Sequence, residues 1–283
     1  MEAPKGKIVA IGGNENKGII PDADSPDLQQ LQETFAQGIL KRIHDELHGP
    51  GTRIEVVTTA TLYPKRAGKV YTDAFLLLGC DNVGVLPIQH PDDARNPEFL
   101  ERLRNTHAVM FTGGDQKRLA EVLGGSEALH ILKTRYQQEE KFLISGTSAG
   151  AMALSGVMIS GSVDTNPLVK GTVSLAKGLD ILDQMIIDTH FVNRRRIPRL
   201  IEAIAANPTH IGIGLGEDTG ILITWNNCIE TIGSGLVVVI DGRRLEKNTY
   251  HFIQRGDPLC VENLIMHVLP KGRAYNVVTG KFM

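Results

Sequence analysis

One serine in this sequence has neighbours suited to nucleophilic chemistry. Ser148 lies in the stretch GTSAG (residues 146–150), after the hydrophobic run FLI (142–144) and before the helix-favouring run AMAL (151–154). A buried strand, a sharp G-x-S-x-G turn and a helix are typical of a nucleophile elbow. Small residues let the serine stand clear of the backbone, and the N–H groups of the following helix stabilise developing negative charge. Because a bare G-x-S-x-G pattern is common, the prediction depends on partners elsewhere in the chain.

A serine hydroxyl needs a general base, and His190 is the best placed of the nine histidines. The apolar run MII (185–187) is followed by Asp188, Thr189 and then His190. A histidine at a strand end beside an acid is where a catalytic base would be held. His90, which also follows a predicted strand, is a weaker candidate.

A carboxylate is then needed to orient the imidazole and stabilise its cation. We favour Glu217, in the segment IGIGLGEDTG (211–220), with Asp218 as the fallback. Asp188 is two residues before His190, a spacing that suits substrate contact better than an orienting hydrogen bond. For the oxyanion hole, the N–H of Ala149 is one candidate donor, and the second candidates are at the end of another predicted strand, Gly113 and Gly114.

Four arginines within six residues, in the segment RRRIPR (194–199), follow His190. Beside a strand-end site such a cluster would bind carboxylates. The alternative is a solvated helix start, which is the usual fate of a charge run. A formal net charge of −2 disfavours a nucleic-acid or membrane-surface binder.

The composition is that of a globular protein, with 283 residues of which 42% are hydrophobic and 22% charged. We expect no membrane span and no signal peptide, since neither type of apolar run is present. Three widely spaced cysteines give neither a disulfide framework nor a metal cluster, which predicts a reduced, cytoplasmic setting and no cofactor.

Predicted strands and helices alternate along the first part of the chain. Continuous hydrophobic strand runs predict an α/β fold with a mostly parallel sheet covered by helices on both faces, and a site at the carboxyl ends of the strands. From about Gly212 short strands and turns predict a small antiparallel extension, so we expect one domain over 1–283. The predicted helices are 27–47, 70–79, 97–104, 116–123 and 127–138.

Four segments in order resemble cyanophycinase, a serine exopeptidase family related to dipeptidase E. They are FTGGDQ (111–116), SGTSAGAMALSG (145–156), DTHFVNRRRIPRL (188–200) and GIGLGEDTGILI (212–223), and the likeness covers nearly the whole chain. The order serine, histidine, acid also resembles that of class I glutamine amidotransferases, with serine in place of cysteine. The resemblance implies a flavodoxin-like, amidotransferase-like sheet and a homodimer.

The same resemblance implies that the chain releases β-aspartyl-arginine from cyanophycin, a polyaspartate carrying arginine on each β-carboxyl. It implies Ser148 as nucleophile, His190 as general acid and base, and Glu217 as the orienting acid, with no metal. The substrate-binding residues that it implies are Gln116, Asp188, Arg194, Arg196 and Arg199. Thr189 is also expected in the pocket, at a position where the family usually has glutamine.

Two other functions stay open on the sequence. One is an aspartyl dipeptidase of the dipeptidase E type, although a free dipeptide needs fewer carboxylate clamps than the arginine segment offers. The other is a non-catalytic, amidotransferase-like binding protein, against which the complete set of serine, histidine and acid argues.

Overall fold

The computed structural model describes residues 3–18, 33–47, 49, 51–163, 168–224 and 227–283. Its strands are β1 (Lys7–Ile11), β2 (Ile54–Val57), β3 (Val83–Leu86), β4 (Ala108–Phe111), β5 (Leu143–Thr147), β6 (Val157–Ser162), β7 (Val173–Lys177), β8 (Met185–Asp188), β9 (Ile211–Leu215), β10 (Thr219–Thr224), β11 (Cys228–Gly233), β12 (Val237–Asp241), β13 (Lys247–Asn248), β14 (Val261–Glu262), β15 (Ile265–Leu269), β16 (Ala274–Asn276) and β17 (Lys281–Phe282). Its helices are α1 (Ile39–Asp45), α2 (Pro64–Leu77), α3 (Pro97–Asn105), α4 (Gln116–Leu123), α5 (Glu127–Gln138), α6 (Ala149–Ala153) and α7 (Ile197–Ala206).

The central sheet has nine strands in the order β17-β16-β11-β10-β1-β5-β4-β2-β3. The five strands from β1 to β3 in that order are parallel, and β10, β11, β16 and β17 continue the sheet antiparallel. Because β10 runs opposite to β1, the first residues of β10 lie beside the last residues of β1. This direction brings the segment around Glu217 to the carboxyl edge of the parallel strands.

A second sheet of four strands has the order β15-β12-β9-β8. Strands β8 and β9 are parallel, with Asp188 opposite Gly214, so both strands end at the same edge. The chain leaves β8 towards His190 and leaves β9 towards Glu217. The predicted α/β class is confirmed, and the strands predicted as a C-terminal extension lengthen the central sheet and complete the second one.

Helices cover both faces of the parallel strands. Alternate residues of β1 enter different cores: Val9 and Ile11 pack with α1 and α2, whereas Ile8 and Ala10 pack in the cluster that contains α3, α4 and α5. This two-sided burial explains why the parallel strands are continuous apolar runs. Among the described residues no helix combines the length and the apolar character needed to span a bilayer.

The helix predictions were correct where capping signals mark the ends. The predictions 116–123 and 127–138 are confirmed as α4 and α5, whose N-caps Asp115 and Ser126 accept hydrogen bonds from backbone N–H groups. The start predicted at Val70 is wrong, because α2 begins at Pro64, a proline favoured in the first helical turn. Of the predicted helix 27–47, residues 27–32 lie outside the described part, and the rest is interrupted at Gly38, the N-cap of α1.

We expect Gly150→Ala to lower the free energy of unfolding by about 1–3 kcal/mol, the usual cost of overpacking. A Cβ on Gly150 would lie 2.5 Å from the carbonyl oxygen of Phe111, which belongs to β4 and cannot move independently. Urea unfolding measures the change, and Gly51→Ala is the control because a Cβ there meets nothing within 4 Å. Equal unfolding free energies for the two variants would contradict this account.

Candidate active site

Ser148 lies between β5 and α6, and its backbone φ is 50°. We call residues 146–150 the serine turn. A Cβ on Gly146 would lie 2.7 Å from the backbone of Gly150, so the two glycines allow the strand and the helix to close on each other. The Ser148 side chain therefore lies at the start of a helix, with its Oγ within hydrogen-bond distance of His190.

Three side chains form a continuous chain of hydrogen bonds. Ser148 Oγ lies 2.9 Å from His190 Nε2, and His190 Nδ1 lies 2.7 Å from Glu217 Oε1. The imidazole is 8% exposed and the Glu217 side chain 27%, so the chain runs from a partly exposed hydroxyl through a buried ring to a half-buried carboxylate. The structure thus brings together the three residues that the sequence selected.

The loop that follows β1 fixes all three partners. We call residues 11–16 the β1 loop. The carbonyl of Ile11 accepts the N–H of Ser148, the carbonyl of Gly12 accepts that of His190, and the carbonyl of Gly13 accepts that of Asp218, each at 2.9 Å. Three consecutive carbonyls therefore set the spacing between segments that are far apart in sequence.

Glycine is required in the β1 loop because these approaches are close. A Cβ on Gly12 would lie 1.9 Å from the carbonyl oxygen of Gly216. A Cβ on Gly13, whose φ is +100°, would lie 2.4 Å from the His190 ring. The glycine pair is visible in the sequence, but nothing local shows that it contacts the histidine.

Strained backbone is concentrated at the site. Positive φ angles occur at Ser148 (50°), His190 (49°), Asp218 (45°) and Asn14 (52°), one in each segment that forms the site. Each such residue costs on the order of 1–3 kcal/mol and persists only when the surroundings impose it. The hydrogen bonds from the β1 loop are the contacts that impose it here.

Asn14 is a site residue that sequence reasoning missed. The pKa of Glu217 lies below its ordinary value because of its hydrogen bond to His190 and, next in size, a hydrogen bond from the Asn14 side chain. The nearby positive charge of Arg194 acts in the same direction. The available signal was the tolerance of asparagine for a left-handed backbone after two glycines, which is weak without the structure.

Two of the candidate oxyanion donors, Gly113 and Ala149, lie beside Ser148. A Cβ on Gly113 would lie 3.4 Å from the Ser148 Cβ, and one on Gly114, whose φ is +146°, only 2.1 Å from the carbonyl oxygen of Ala60. Ala149 begins α6, so its N–H is among those without a partner inside the helix. In the described part of the chain, the N–H groups of Gly113 and Gly114 donate no hydrogen bond, which leaves them available to an oxygen above Ser148.

Asp188 occupies a different environment from the one predicted for substrate contact. Its side chain is fully buried and accepts hydrogen bonds from Arg199, with Nε at 2.6 Å from Oδ2, and a longer one from Arg196 Nη1 at 3.4 Å. Its carboxylate is not available to a substrate guanidinium here. Arg199 is correspondingly committed to Asp188, and Arg196 also donates to the carbonyl of Thr189 at 2.8 Å, so both arginines fix the chain around His190 instead of extending into solvent.

The remaining predicted pocket residues differ in accessibility. Arg194 is exposed and close enough to Glu217 to lower the pKa of that carboxyl. Gln116 is half-buried and donates through Nε2 to the carbonyl of Ile159 at 3.0 Å. Thr189 is fully buried, and its hydroxyl has no hydrogen-bond partner among the described residues.

The fallback residues have other partners. Asp218 accepts hydrogen bonds from the Asn16 N–H at 3.1 Å and from Ser234 Oγ at 2.7 Å, so it braces the loop beside the histidine. His90 is exposed, and its N–H donates to Asp93. Within the ranges that the structure describes, no group of three or more His, Cys, Asp or Glu side chains could hold a metal ion.

This arrangement can perform acyl transfer. A serine hydroxyl hydrogen-bonded to an imidazole can lose its proton to that ring as it attacks a carbonyl. A carboxylate on the other ring nitrogen fixes the tautomer and stabilises the cation, and free N–H groups beside the hydroxyl stabilise the oxyanion.

Known proteins resemble this chain over nearly its whole length. The profile of Peptidase family S51 matches residues 29–230. The cyanophycinase of Synechococcus elongatus is 33% identical over 97% of this chain and 80% of its own, and that of Geminocystis herdmanii (strain PCC 6308) is 29% identical over 99% and 96%. A crystal structure of a peptidase from an acI-B1 Actinobacterium has the same fold, with a TM-score of 0.62 at 20% identity over 96% of both chains.

We expect a fluorophosphonate probe to label Ser148, and Glu217→Gln to slow labelling by about 10²–10⁴-fold, because an amide favours the wrong imidazole tautomer. Ser148→Ala should not be labelled at all. Glu262→Gln, which changes an exposed glutamate on β14, is the control and should label at the wild-type rate. A Glu217→Gln protein that labels as fast as the wild type would exclude the assigned hydrogen-bond chain.

We expect Asn14→Gly to raise the pKa of Glu217, because it removes a hydrogen bond that stabilises the ionised form. Glycine tolerates the positive φ of Asn14, so the backbone should remain in place. Carbon-13 NMR titration of labelled glutamate measures the shift, with Glu217→Gln identifying the resonance. Asn263→Gly is the matched control, an exposed asparagine with φ 61° between β14 and β15, and it should leave the Glu217 titration unchanged.

Proposed function

We propose, since this chain belongs to peptidase family S51 and is a serine-type peptidase, that its substrate is cyanophycin. The reaction is exopeptidase cleavage of the polyaspartate backbone, with release of β-aspartyl-arginine dipeptides. The observation that carries the chemistry is the unbroken contact from Ser148 Oγ through His190 to Glu217. The substrate rests on the relatives named cyanophycinase that match almost the full chain.

In the proposed reaction the serine turn acts as a nucleophile elbow. Ser148 Oγ attacks the scissile carbonyl while His190 Nε2 takes its proton, and Glu217 holds Nδ1 and stabilises the imidazolium. The N–H groups of Ala149 and of Gly113 or Gly114 stabilise the tetrahedral oxyanion. His190 then protonates the leaving amine, an acyl-enzyme remains on Ser148, and a water molecule activated by His190 hydrolyses it.

The arginines of the 194–199 segment would have two different roles. Arg194 is the arginine proposed to pair with a substrate carboxylate, because its side chain is exposed next to Glu217. Arg196 and Arg199 hold Asp188, and through it the strand end that leads to His190. Gln116 would form part of the neighbouring wall, whereas Thr189, which is fully buried, has no exposed surface to contribute to it.

Two alternatives receive less support. An aspartyl dipeptidase of the dipeptidase E type would use the same serine chemistry, but the relatives at 28–33% identity are named cyanophycinase. A non-catalytic binding protein has no need for a serine, a histidine and a glutamate held within hydrogen-bond distance, nor for strained backbone at the serine and the histidine.

We also propose that the protein is a cytoplasmic homodimer with a single domain in each chain. Three cysteines without a disulfide fit a reducing cytoplasm. One core cluster contains residues from Ile8 to Val277, which supports a single domain. The homodimer rests on the family resemblance alone, and the slightly negative net charge gives no reason to add nucleic acid or a membrane as a partner.

Purified protein incubated with insoluble cyanophycin should release soluble β-aspartyl-arginine, read by mass spectrometry, and Ser148→Ala should release none. α-Aspartyl dipeptides, offered in parallel at equal concentration, should be cleaved far more slowly. Fluorophosphonate labelling of the same preparation separates the possible failures. A labelled wild-type enzyme that releases nothing from the polymer would refute the substrate and leave the serine chemistry intact.

A further inference from the structure

A carboxylate that the reaction does not use lies beneath the serine turn. The Glu15 side chain is fully buried. Its oxygens are contacted by the Tyr71 hydroxyl, by Thr147 Oγ1 at 2.7 Å and by Lys17 Nζ at 3.1 Å. A buried carboxylate is retained only with such compensation. Thr147 is the residue immediately before Ser148.

Glu15 belongs to the β1 loop, whose carbonyls hold Ser148, His190 and Asp218. Its neighbours on both sides also contact the site: the Asn14 side chain bonds to Glu217, and the Asn16 N–H donates to Asp218 Oδ1 at 3.1 Å. The Glu15 carboxylate is therefore the point at which this loop is tied back to β5 and to α2.

Glu15 bonds to Thr147 and not to the threonines that follow the neighbouring parallel strands. Two other threonines follow neighbouring parallel strands at the same edge, Thr58 after β2 and Thr112 after β4, and both are buried. Neither of their hydroxyls has a hydrogen-bond partner in the part of the chain that the structure describes. The threonine that Glu15 holds is the one beside the nucleophile.

Tyr71 completes the arrangement from α2. Burial, and after it the charge of Glu15, raises the pKa of Tyr71 well above its usual range. The phenol is consequently a permanent donor to Glu15. The carboxylate accepts one hydroxyl from the helix and another from the strand, which joins the two elements under the serine turn.

We propose that Glu15 is a positioning residue for the Ser148 hydroxyl, acting through Thr147 and the β1 loop to keep the serine in register with His190 and Glu217. This role deepens the proposed function and rests on Ser148 being the nucleophile. Glu15 has no contact with the reacting atoms, so its effect is on the rate of the chemical step and not on ligand binding.

The amide of Glu15→Gln keeps the shape of the side chain but replaces one acceptor oxygen by a donor. Either Tyr71 or Thr147 must then turn its hydroxyl, and Lys17 loses its charged partner. Since a displacement of about 1 Å at a catalytic centre can cost on the order of 10²-fold in rate, we expect a partial release of the serine turn to cost about tenfold.

Saturation kinetics of fluorophosphonate labelling test this role without reference to cyanophycin, because they separate the maximal labelling rate, kinact, from the apparent affinity, KI. Glu15→Gln and Thr147→Val should each lower kinact about tenfold with KI unchanged, and Thr147→Ser, which keeps the hydroxyl, should restore it. Glu202→Gln is the matched control. Glu202 is 1% exposed and also accepts a threonine hydroxyl, that of Thr172, but has no contact with the β1 loop or the serine turn among the residues described.

A folded Glu15→Gln or Thr147→Val protein with the wild-type kinact would overturn the proposal. An equal loss in Glu202→Gln would do the same, because it would reveal general destabilisation. If Glu15→Gln does not fold, Thr147→Val alone decides the matter, since it removes only the hydroxyl. A wild-type protein that the probe labels but that leaves cyanophycin intact would refute the proposed substrate and would leave the positioning role of Glu15 unaffected.

Discussion

The site depends on one short stretch of backbone, the carbonyls of Ile11, Gly12 and Gly13. Each accepts the N–H of a different segment, and together they fix Ser148, His190 and the loop of Glu217 at one end of β1. Side-chain contacts alone could not do this, because long side chains have many rotamers and each must be ordered separately. A rigid strand that ends in two glycines provides three acceptors at fixed spacing, and the approach of the other segments excludes any side chain at Gly12.

Charge is distributed around this backbone in a consistent way. The half-buried carboxylate of Glu217 is stabilised in its ionised form by the imidazole and by Asn14, whereas the fully buried carboxylates of Glu15 and Asp188 are compensated by hydroxyl, lysine or arginine partners. A buried carboxylate without such partners would disturb its neighbours by taking up a proton. The ion pairs under the site therefore stiffen the strand ends, whereas Arg194 remains exposed and close enough to Glu217 to influence its pKa.

The sequence predicted those parts of the site that depend on residues close together in the chain. The glycines around Ser148, the strand-end position of His190 and the acid in the 211–220 segment were all readable, because each is a feature of one strand end. The pairing of Asp188 with Arg199 could not be predicted, since it depends on where α7 packs. The same residue types in the same order could form either a buried ion pair or a site that binds substrate. Glu15 was missed for a similar reason: Tyr71 and Thr147 are 56 and 132 positions away. The same limit applied to the C-terminal strands. The sequence predicted short strands separated by turns, but the sheet that each strand joins depends on long-range register.

The distance in sequence between the β1 loop and its partners also bears on the order of events during synthesis. Asn16 is 202 positions away from its partner Asp218. Contacts of such separation form late, because the intervening chain must be made and closed first. A nascent chain that stops before β10 therefore lacks the strand that holds the Glu217 segment against β1, and we infer that the site cannot be assembled until β10 has been translated.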